Sequence, residues 1–507
     1  MDSSRSWRTA LTSDLGILVL LALAKLFFHT LTGSQYGFHR DELGMLTDAR
    51  YLEWGYVTYP PLTPLVASTA LALFGETLWG LRFLAALGQS IAMVLAGLTA
   101  REMGGRRTAQ VLAALAVAIA PISLVWSSMF HYGGLDYLWW TVVAFLLARL
   151  LHTENPRYWL GIGAAIGLGM LTKYTMAVCA VSVAAGVLLT PARRYLRSPW
   201  LWGGVVLAVL VWLPNLIWQA QHGWIHLEFL ASIHARDVRI GRTEDFLPSQ
   251  LYQATNPITV PLWIAGLFFF FSPRGKRYRL LGWMAVVAFI VLLAAQGRGY
   301  YTGPLYVPLL AGGAVLFEQW LAALVPRQRR WVSVTAWTLV AIFGVAVAAM
   351  MLPLAPINSA WWKAARAIYV EPREQIGWPE MVEEVGRIYG ELPPEQRAHT
   401  TIVTNASDLE AMHLYGAPYS LPPVVSSQNT NWLRFNPAAM EPPQAFIVVA
   451  WQDRDVLYEF SGCQVAGQIT NSYHVKNENS AERPNIYVCT GTRRPWGTFW
   501  QEIRAFG

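Results

Sequence analysis

Long apolar stretches separated by short basic clusters dominate the first two thirds of the chain. A helix that spans a bilayer needs about 20 mainly apolar residues. Eleven stretches approach that length, at residues 13–32, 79–100, 108–130, 135–151, 158–172, 175–190, 200–219, 257–272, 279–296, 304–322 and 331–352. Only 14% of the 507 residues are charged, against about a quarter in soluble domains. The pattern predicts a polytopic α-helical membrane protein, excludes disorder and argues against a single soluble domain.

Basic residues between the spans predict the orientation. The clusters expected on one side are Arg5/Arg8, Arg101/Arg106/Arg107, Arg157, Arg193/Arg194/Arg197, Arg274/Lys276/Arg277/Arg279 and Arg327/Arg329/Arg330. Cytoplasmic loops are enriched in Lys and Arg, so this side and the N-terminus are predicted to be cytoplasmic. An odd number of spans then places the C-terminal residues outside. These clusters are short and lie between apolar stretches, which argues against a nucleic-acid partner.

The composition changes near Pro353. Residues 1–352 carry a net charge of +11, whereas residues 353–507 carry −4. The second part alternates helical candidates with short strand candidates, at residues 360–370, 378–391 and 405–415 for helices and 401–404, 445–450, 463–469 and 486–489 for strands. Such alternation is typical of a small α/β domain. We therefore predict a membrane domain over 1–352 and an extracytoplasmic α/β domain over 353–507, with Cys463 and Cys489 close enough to form a disulfide.

Acidic residues concentrate on the predicted outer side, so chemistry is expected there, in the long loops 33–78 and 220–256. Within the first loop, apolar spacing predicts an interfacial helix over 41–54, and the apolar residues 62–75 predict a second one. Asp41 and Glu42 follow the first span. A carboxylate there suits a general base acting on a hydroxyl, although acids in a first helical turn also stabilise the helix dipole and pair with a neighbour such as Arg40.

Three further charged residues stand at the outer ends of spans. Asp136 begins the fourth span, where it is either functional or a helix N-cap. Lys173 and Arg298 are cations on the side that is otherwise poor in them. They suit an anionic ligand, although Lys173 is also placed to reach lipid headgroups. His131 and Asp136 are two scattered candidate metal ligands.

Several motifs in order resemble one family of membrane glycosyltransferases. They are His39-Arg40-Asp41-Glu42-Leu43, Gly55-Tyr56, Pro60-Pro61-Leu62, Leu73-Phe74-Gly75, Leu81-Arg82, Gly167 to Tyr174, Tyr300-Tyr301 with Pro304-Leu305-Tyr306, and Tyr415-Gly416 with Leu421-Pro422-Pro423-Val424. The chain resembles the GT-C fold family that includes the protein O-mannosyltransferases and the bacterial lipid A aminoarabinose transferases. In the latter, a lysine precedes the Pro-Pro step, where this chain has Tyr59. A proline tends to stand where it has Arg40.

The resemblance implies an inverting transferase that uses a polyprenyl-phosphate sugar in the bacterial inner membrane. Asp41 matches the catalytic acid position, with Glu42 beside it, and Asp136 matches a second acidic position. Lys173 and Arg298 match cations near the donor phosphate, where Tyr59, Tyr300 and Tyr301 are also expected. The C-terminal domain is expected to cover the Asp41 face, with Asp408, Glu410 and Asn429 bordering the acceptor entrance.

The implied partners are a polyprenyl-phosphate-linked sugar donor, membrane lipids, and a lipid, glycan or protein acceptor. The sequence predicts no required cofactor and leaves open whether a divalent metal is needed. Two other classes of protein compete with this interpretation. A secondary transporter of a polar or lipid-linked substrate would have paired broken helices in two related halves and polar groups at the midplane. A scaffold that only displays the outer domain would not need Asp41, Asp136 and Lys173 on one side.

Overall fold

In the computed structural model of the chain, residues 12–434 and 441–506 are described, so Arg5 and Arg8 lie outside the described residues. Seven helices are long and apolar enough to cross a membrane: Asp14–Thr32, Leu78–Glu102, Tyr132–Thr153, Pro199–Gln221, Lys276–Ala294, Gly299–Ala323 and Pro326–Met351. Three bent helix pairs raise the number to ten: Arg107–Ala118 with Pro121–Ser128, Met176–Leu188 with Pro191–Arg197, and Phe246–Ala254 with Pro257–Phe271. With the shorter apolar helix Tyr158–Met170, these elements account for all eleven apolar stretches.

Prolines explain the bends. Pro121, Pro191 and Pro257 each stand in the first turn of the second helix of a pair. Proline lacks a backbone N–H and disfavours helical geometry in the residue before it, so it starts a helix well and interrupts one. The pairs consequently bend by 63°, 104° and 100°.

Three helices of more than ten residues lie in the described parts of the predicted outer loops. The first loop helix, Arg40–Arg50, and the second loop helix, Leu62–Phe74, fall where the sequence predicts them. The third loop helix, Ile225–Arg239, lies within residues 220–256, which the sequence analysis treats as loop. Its one buried stripe is narrow and it carries four charged residues, so a search for apolar spans does not detect it.

The C-terminal domain contains a five-stranded sheet in the order β2-β1-β3-β6-β5. Its strands are β1 (Thr400–Thr404), β2 (Val424–Ser426), β3 (Ala445–Val448), β5 (Gln464–Gln468) and β6 (Asn485–Cys489), and a separate pair is formed by β4 (Phe460–Ser461) and β7 (Gly491–Thr492). β1 runs parallel to β2 and β3, whereas β6 is antiparallel to β3 and β5. The helices are Ala360–Ile368, Trp378–Glu391, Pro394–Arg397, Ala406–Tyr415, Asn429–Arg434, Asp453–Glu459, Glu478–Glu482 and Trp496–Glu502. The predicted α/β class is confirmed, although β2 is too short for its pattern to reveal it.

The disulfide prediction is also confirmed. Cys463 and Cys489 are bonded, with Cα atoms 4.0 Å apart. The bond joins the start of β5 to the end of β6, two adjacent antiparallel strands. The disulfide therefore links the edge strand β5 covalently to its neighbour β6.

The C-terminal domain packs directly on the first two loop helices. Leu43 and Leu46 of the first loop helix share one apolar core with Trp378, Val382 and Met412 of the C-terminal domain. Trp378–Glu391 buries residues at helical spacing toward this core. The domain thus covers the face that carries Asp41, as the sequence predicts.

Candidate active site

Asp41 lies in the first turn of the first loop helix, and its side chain is 42% exposed. One carboxylate oxygen, Oδ2, lies 3.8 Å from Nδ1 of His39 and 3.7 Å from Nε2 of His131. The other oxygen, Oδ1, lies 3.7 Å from Nε of Arg40. The nitrogens around Asp41 thus lie beyond hydrogen-bonding distance, and an incoming group has room to reach the carboxylate.

The pKa of Asp41 lies below its ordinary value. Burial raises it, but the neighbouring groups, with His39 and Arg40 first among them, together lower it more. A carboxylate with a lowered pKa is ionised at neutral pH. The residue is therefore in the form that accepts a proton or a hydrogen bond.

Glu42, beside Asp41, has a different environment. Its oxygens accept hydrogen bonds from Nε and Nη2 of Arg82 at 2.9 and 2.6 Å, and from the backbone N–H groups of His39 and Phe130, both at 2.8 Å. The side chain is fully buried. Glu42 therefore closes the capping box of the first loop helix and anchors that helix to Leu78–Glu102. Its predicted catalytic role stays a prediction.

Lys173 lies in a turn between two apolar helices and does not reach outward. Its Nζ is 3.7 Å from the ring centroid of Tyr301, 5.4 Å from that of Tyr132 and 5.9 Å from that of Tyr300. A cation close to tyrosine faces gains electrostatic stabilisation without losing its charge. The alternative in which Lys173 snorkels to headgroups is wrong.

Arg298 is held by a residue that the sequence analysis does not single out. Its Nε donates to Oδ2 of Asp237 at 2.6 Å, and its Nη1 contacts the Tyr300 hydroxyl at 3.2 Å. Asp237 belongs to the third loop helix and also faces Arg236 and Arg242, at 3.6 and 3.9 Å. Three guanidinium groups surround this one carboxylate, so these four side chains together carry a net positive charge.

Asp136 is not the N-cap of its span. The helix Tyr132–Thr153 begins earlier, and its N-cap is His131, whose Nδ1 accepts the backbone N–H of Gly133 at 3.0 Å. One oxygen of Asp136 accepts the Thr175 hydroxyl at 2.7 Å. Asp136 thus ties its span to the turn that carries Lys173.

Tyr59 serves the contact between loop and C-terminal domain. Its hydroxyl donates to Oδ2 of Asp48 at 2.5 Å, and Arg434 donates to Oδ1 of the same carboxylate at 2.8 Å. The Tyr59 ring lies 5.6 Å from that of Tyr132. Its hydroxyl is therefore engaged by Asp48.

Asp408 and Glu410 lie inside the C-terminal domain, with 0% and 4% of their surface exposed. Asp408 accepts from Asn479 at 2.8 Å, and Glu410 accepts from Asn431 at 3.2 Å. Burial raises the pKa of Asp408 to about 7 and that of Glu410 well above its ordinary value. Neither residue borders an open entrance. Both are buried in the helix Ala406–Tyr415, which packs against the first loop helix and the sheet. Asn429 begins the helix Asn429–Arg434.

Three residues of the site are missed by sequence reasoning as partners of Asp41: His39, His131 and Glu371. Nε2 of His39 lies 3.6 Å from Oε2 of Glu371, which is 44% exposed and comes from the C-terminal domain. The two histidines each stand one residue before a helix, but histidine is not among the preferred N-cap residues, so the position gives no sequence signal. Glu371 carries no local signal, because only the tertiary fold brings it to the first loop helix.

The metal question stays open. Among residues 12–434 and 441–506, no group of three or more His, Cys, Asp and Glu side chains is arranged to hold a metal ion. His131 faces Asp41 and Asp136 faces Thr175. These two predicted ligands therefore have different partners.

Comparisons with known proteins agree with this architecture. Residues 58–218 match the family described as dolichyl-phosphate-mannose-protein mannosyltransferase. That segment includes Asp136 and Lys173 but begins after Asp41. A lipid A galacturonosyltransferase, RgtD of Rhizobium johnstonii, is 26% identical over 295 residues, which are 56% of this chain and 61% of that protein. The match thus spans less than two thirds of the relative's length.

Two solved structures share the fold. ArnT from Cupriavidus metallidurans bound to undecaprenyl phosphate is 16% identical, with a TM-score of 0.57 over 94% of this chain and 97% of that one. The oligosaccharyltransferase of Archaeoglobus fulgidus in the apo form is 14% identical, with a TM-score of 0.51 over 82% of this chain and 65% of that one. The resemblance that the sequence motifs predict is confirmed: this is a multi-span membrane protein of the GT-C fold, similar to the ArnT-like glycosyltransferases.

Proposed function

We propose that this protein is an inverting glycosyltransferase that moves a sugar from a polyprenyl-phosphate donor to a cell-envelope acceptor at the outer face of the membrane. The observation that carries the proposal is the environment of Asp41. It is an accessible carboxylate with a lowered pKa, and it shares one site with two cations, Lys173 and Arg298. The fold of a structure bound to undecaprenyl phosphate supports the choice of donor.

The donor side is assigned to the cations. Transfer breaks the bond between the sugar and the phosphate oxygen, and the lipid phosphate leaves with an added negative charge. Lys173 among its tyrosines and the Arg298 cluster supply positive charge for that leaving group. Fixed charges that face the developing charge lower the barrier without reorganising during the step.

The acceptor side is assigned to Asp41. An acceptor hydroxyl loses its proton to the carboxylate as its oxygen bonds to the anomeric carbon, opposite the departing phosphate. A single displacement of this kind inverts the anomeric centre, by the logic of inverting glycosidases. If the acceptor is itself a phosphate, no proton is transferred, and Asp41 only orients it.

The proposal also fixes the placement of the two domains. Residues 1–352 form the membrane domain with a cytoplasmic N-terminus, and residues 353–507 form a domain outside the membrane. A disulfide in the C-terminal domain agrees with this orientation, because disulfides persist in oxidising compartments.

The test is an assay of the purified protein in detergent with synthetic polyprenyl-phosphate sugars and lipid A as acceptor. The donor panel contains a neutral hexose, a uronic acid and an amino sugar, and mass spectrometry detects the glycosylated product. We expect product with at least one donor and loss of product in Asp41→Asn. The matched control is Asp455→Asn, which changes an exposed carboxylate of the C-terminal domain. Movement of intact substrate into liposomes without a glycosidic product would instead support a transporter.

A further inference from the structure

Two buried histidines face the same oxygen of Asp41, and each also begins a helix. His39 is the N-cap of the first loop helix, where its Nδ1 accepts the backbone N–H of Asp41 at 3.2 Å. His131 is the N-cap of Tyr132–Thr153 and accepts the backbone N–H of Gly133 at 3.0 Å. The rings are 2% and 5% exposed. Oδ2 of Asp41 lies within 3.8 Å of both.

Each cap fixes which ring nitrogen carries the proton when that ring is neutral. A backbone N–H only donates, so the nitrogen that accepts it, Nδ1, carries no proton, and the proton resides on Nε2. Nε2 of His131 lies 3.7 Å from Asp41, whereas Nε2 of His39 lies 3.6 Å from Glu371. His131 is therefore the ring that presents an N–H to Asp41, while His39 presents its N–H to Glu371.

The ring of His131 is also held in its plane. Trp126 stacks on it at 4.6 Å between centroids with an angle of 2°, and Tyr132 lies 3.8 Å away. Gly133 permits this approach, because a Cβ there would lie 2.8 Å from Trp126 and 3.0 Å from Nδ1 of His131. The direction of the Nε2–H bond is thus set before any substrate arrives.

A histidine at this N-cap indicates a role in addition to capping the helix. Ser, Thr, Asp and Asn are the preferred N-cap residues, and histidine is not among them. A histidine at a cap adds a second nitrogen on the far side of the ring. At position 131 that nitrogen faces Asp41, so the same side chain links the start of a membrane span to the proposed base.

We propose that His131 is a positioning residue for Asp41: its Nε2–H holds the ionised carboxylate by Oδ2 and leaves Oδ1 for the acceptor. This inference rests on the proposed function of Asp41. Nε2 of His131 faces Oδ2 of Asp41 at 3.7 Å, and a small rotation of the carboxylate brings the two within hydrogen-bonding distance in the free enzyme. Among the ionisable groups around His131 are Asp41, Lys173, His39 and Arg298. Burial lowers the pKa of the His131 ring more than Asp41 raises it, and the other three groups lower it further, so the ring stays neutral.

Two substitutions separate the cap from the contact with Asp41. In His131→Asn, the amide oxygen replaces Nδ1 and keeps the cap, but the side chain is too short to reach Asp41. In His131→Gln, the amide nitrogen replaces Nε2 and keeps a donor toward Asp41, but the cap is lost. The first variant should unfold at a temperature close to that of the wild type, and the second at a lower temperature.

The decisive measurement is the protonation of Asp41 against pH, because it needs no activity. Carbodiimide labelling of carboxyl groups, followed by peptide mass spectrometry, gives the midpoint for Asp41, with Asp455 as an internal control. Losing a donor to the charged form raises a carboxyl pKa, so we expect the midpoint to rise by about one pH unit in His131→Asn and to stay near the wild type in His131→Gln. The acid limb of kcat/KM should move with it, while kcat falls about 10- to 100-fold in His131→Asn.

The outcomes are distinguishable. An unchanged Asp41 midpoint in His131→Asn overturns the inference, and so does a loss of kcat that follows the unfolding temperature in both variants. If the wild type transfers no sugar while the midpoint still rises in His131→Asn, the contact is supported and the proposed function is overturned.

Discussion

The first loop helix carries two aspartates in contrasting environments. Asp48, near its end, is 6% exposed and accepts hydrogen bonds from Tyr59 at 2.5 Å and Arg434 at 2.8 Å. Asp41, at its start, is 42% exposed, and its nearest nitrogens lie 3.7–3.8 Å away. A carboxylate that holds two parts of a protein together needs close partners, because burial without them is costly. One that receives a substrate needs partners that leave its oxygens available.

The largest effect should come from removing the negative charge of Asp41 at the start of the first loop helix. We expect Asp41→Asn to lower kcat by about 10²- to 10⁴-fold if the acceptor is a hydroxyl, because general-base catalysis is lost. The unfolding temperature should stay within a few degrees of the wild type, since no close hydrogen bond is removed. Steady-state kinetics and thermal unfolding of the same preparation measure both. A fully active Asp41→Asn enzyme would contradict the assignment.

The neighbouring carboxylate should behave in the opposite way. Glu42→Ala leaves Arg82 buried without its anion and two backbone N–H groups without an acceptor. Breaking a buried ion pair costs about 3–5 kcal/mol, so we expect a large fall in the unfolding temperature and in the yield of folded protein. A Glu42→Ala variant with wild-type stability and no activity would contradict this prediction and support a catalytic role for Glu42.

A partial effect is expected on the donor side. Lys173→Ala and Arg298→Ala should each weaken binding of a polyprenyl-phosphate sugar by about 10- to 100-fold, since hydrogen bonds to charged groups contribute about 1.5–3 kcal/mol. Acceptor affinity should change less. Competition with a labelled lipid phosphate measures the difference, and Lys363→Ala, outside the site, serves as the control. Unchanged donor affinity in both variants would place the phosphate elsewhere.

The smallest effect concerns the closed interior of the C-terminal domain. The pKa of Asp408 is raised to about 7, above its unfolded value of about 3.9, so its contribution to stability is present at low pH and is lost as pH rises through 7. Asp408→Asn keeps an acceptor for Asn479 and removes this dependence. We therefore expect the variant to gain stability relative to the wild type between pH 5 and pH 8, as measured by thermal unfolding at each pH. A stability difference that is constant with pH would contradict it.

The sequence predicts the helices and strands better than it predicts which residues contact one another. Spans, loop helices and most strands are readable because their apolar spacing is local, as for Trp378–Glu391. The resemblance also brings Asp41 to attention. The local pattern does not distinguish Asp41 from Glu42, because their different environments depend on Arg82, 40 residues farther along the chain. Glu371 and Asp237 are missed for the same reason, and Asp408 is misplaced because only packing shows that its helix face is inward.

The contacts between the first loop helix and the C-terminal domain have a consequence for the order in which the protein is made. Glu371, Arg434 and Glu478 reach back to His39, Asp48 and Arg40 over more than 300 positions. These groups leave the ribosome after every membrane span has been synthesised. The environment of Asp41 is therefore completed last, and a chain interrupted during synthesis would lack these partners. On the proposed function, an incomplete molecule in the membrane would therefore lack part of the acceptor side of the site.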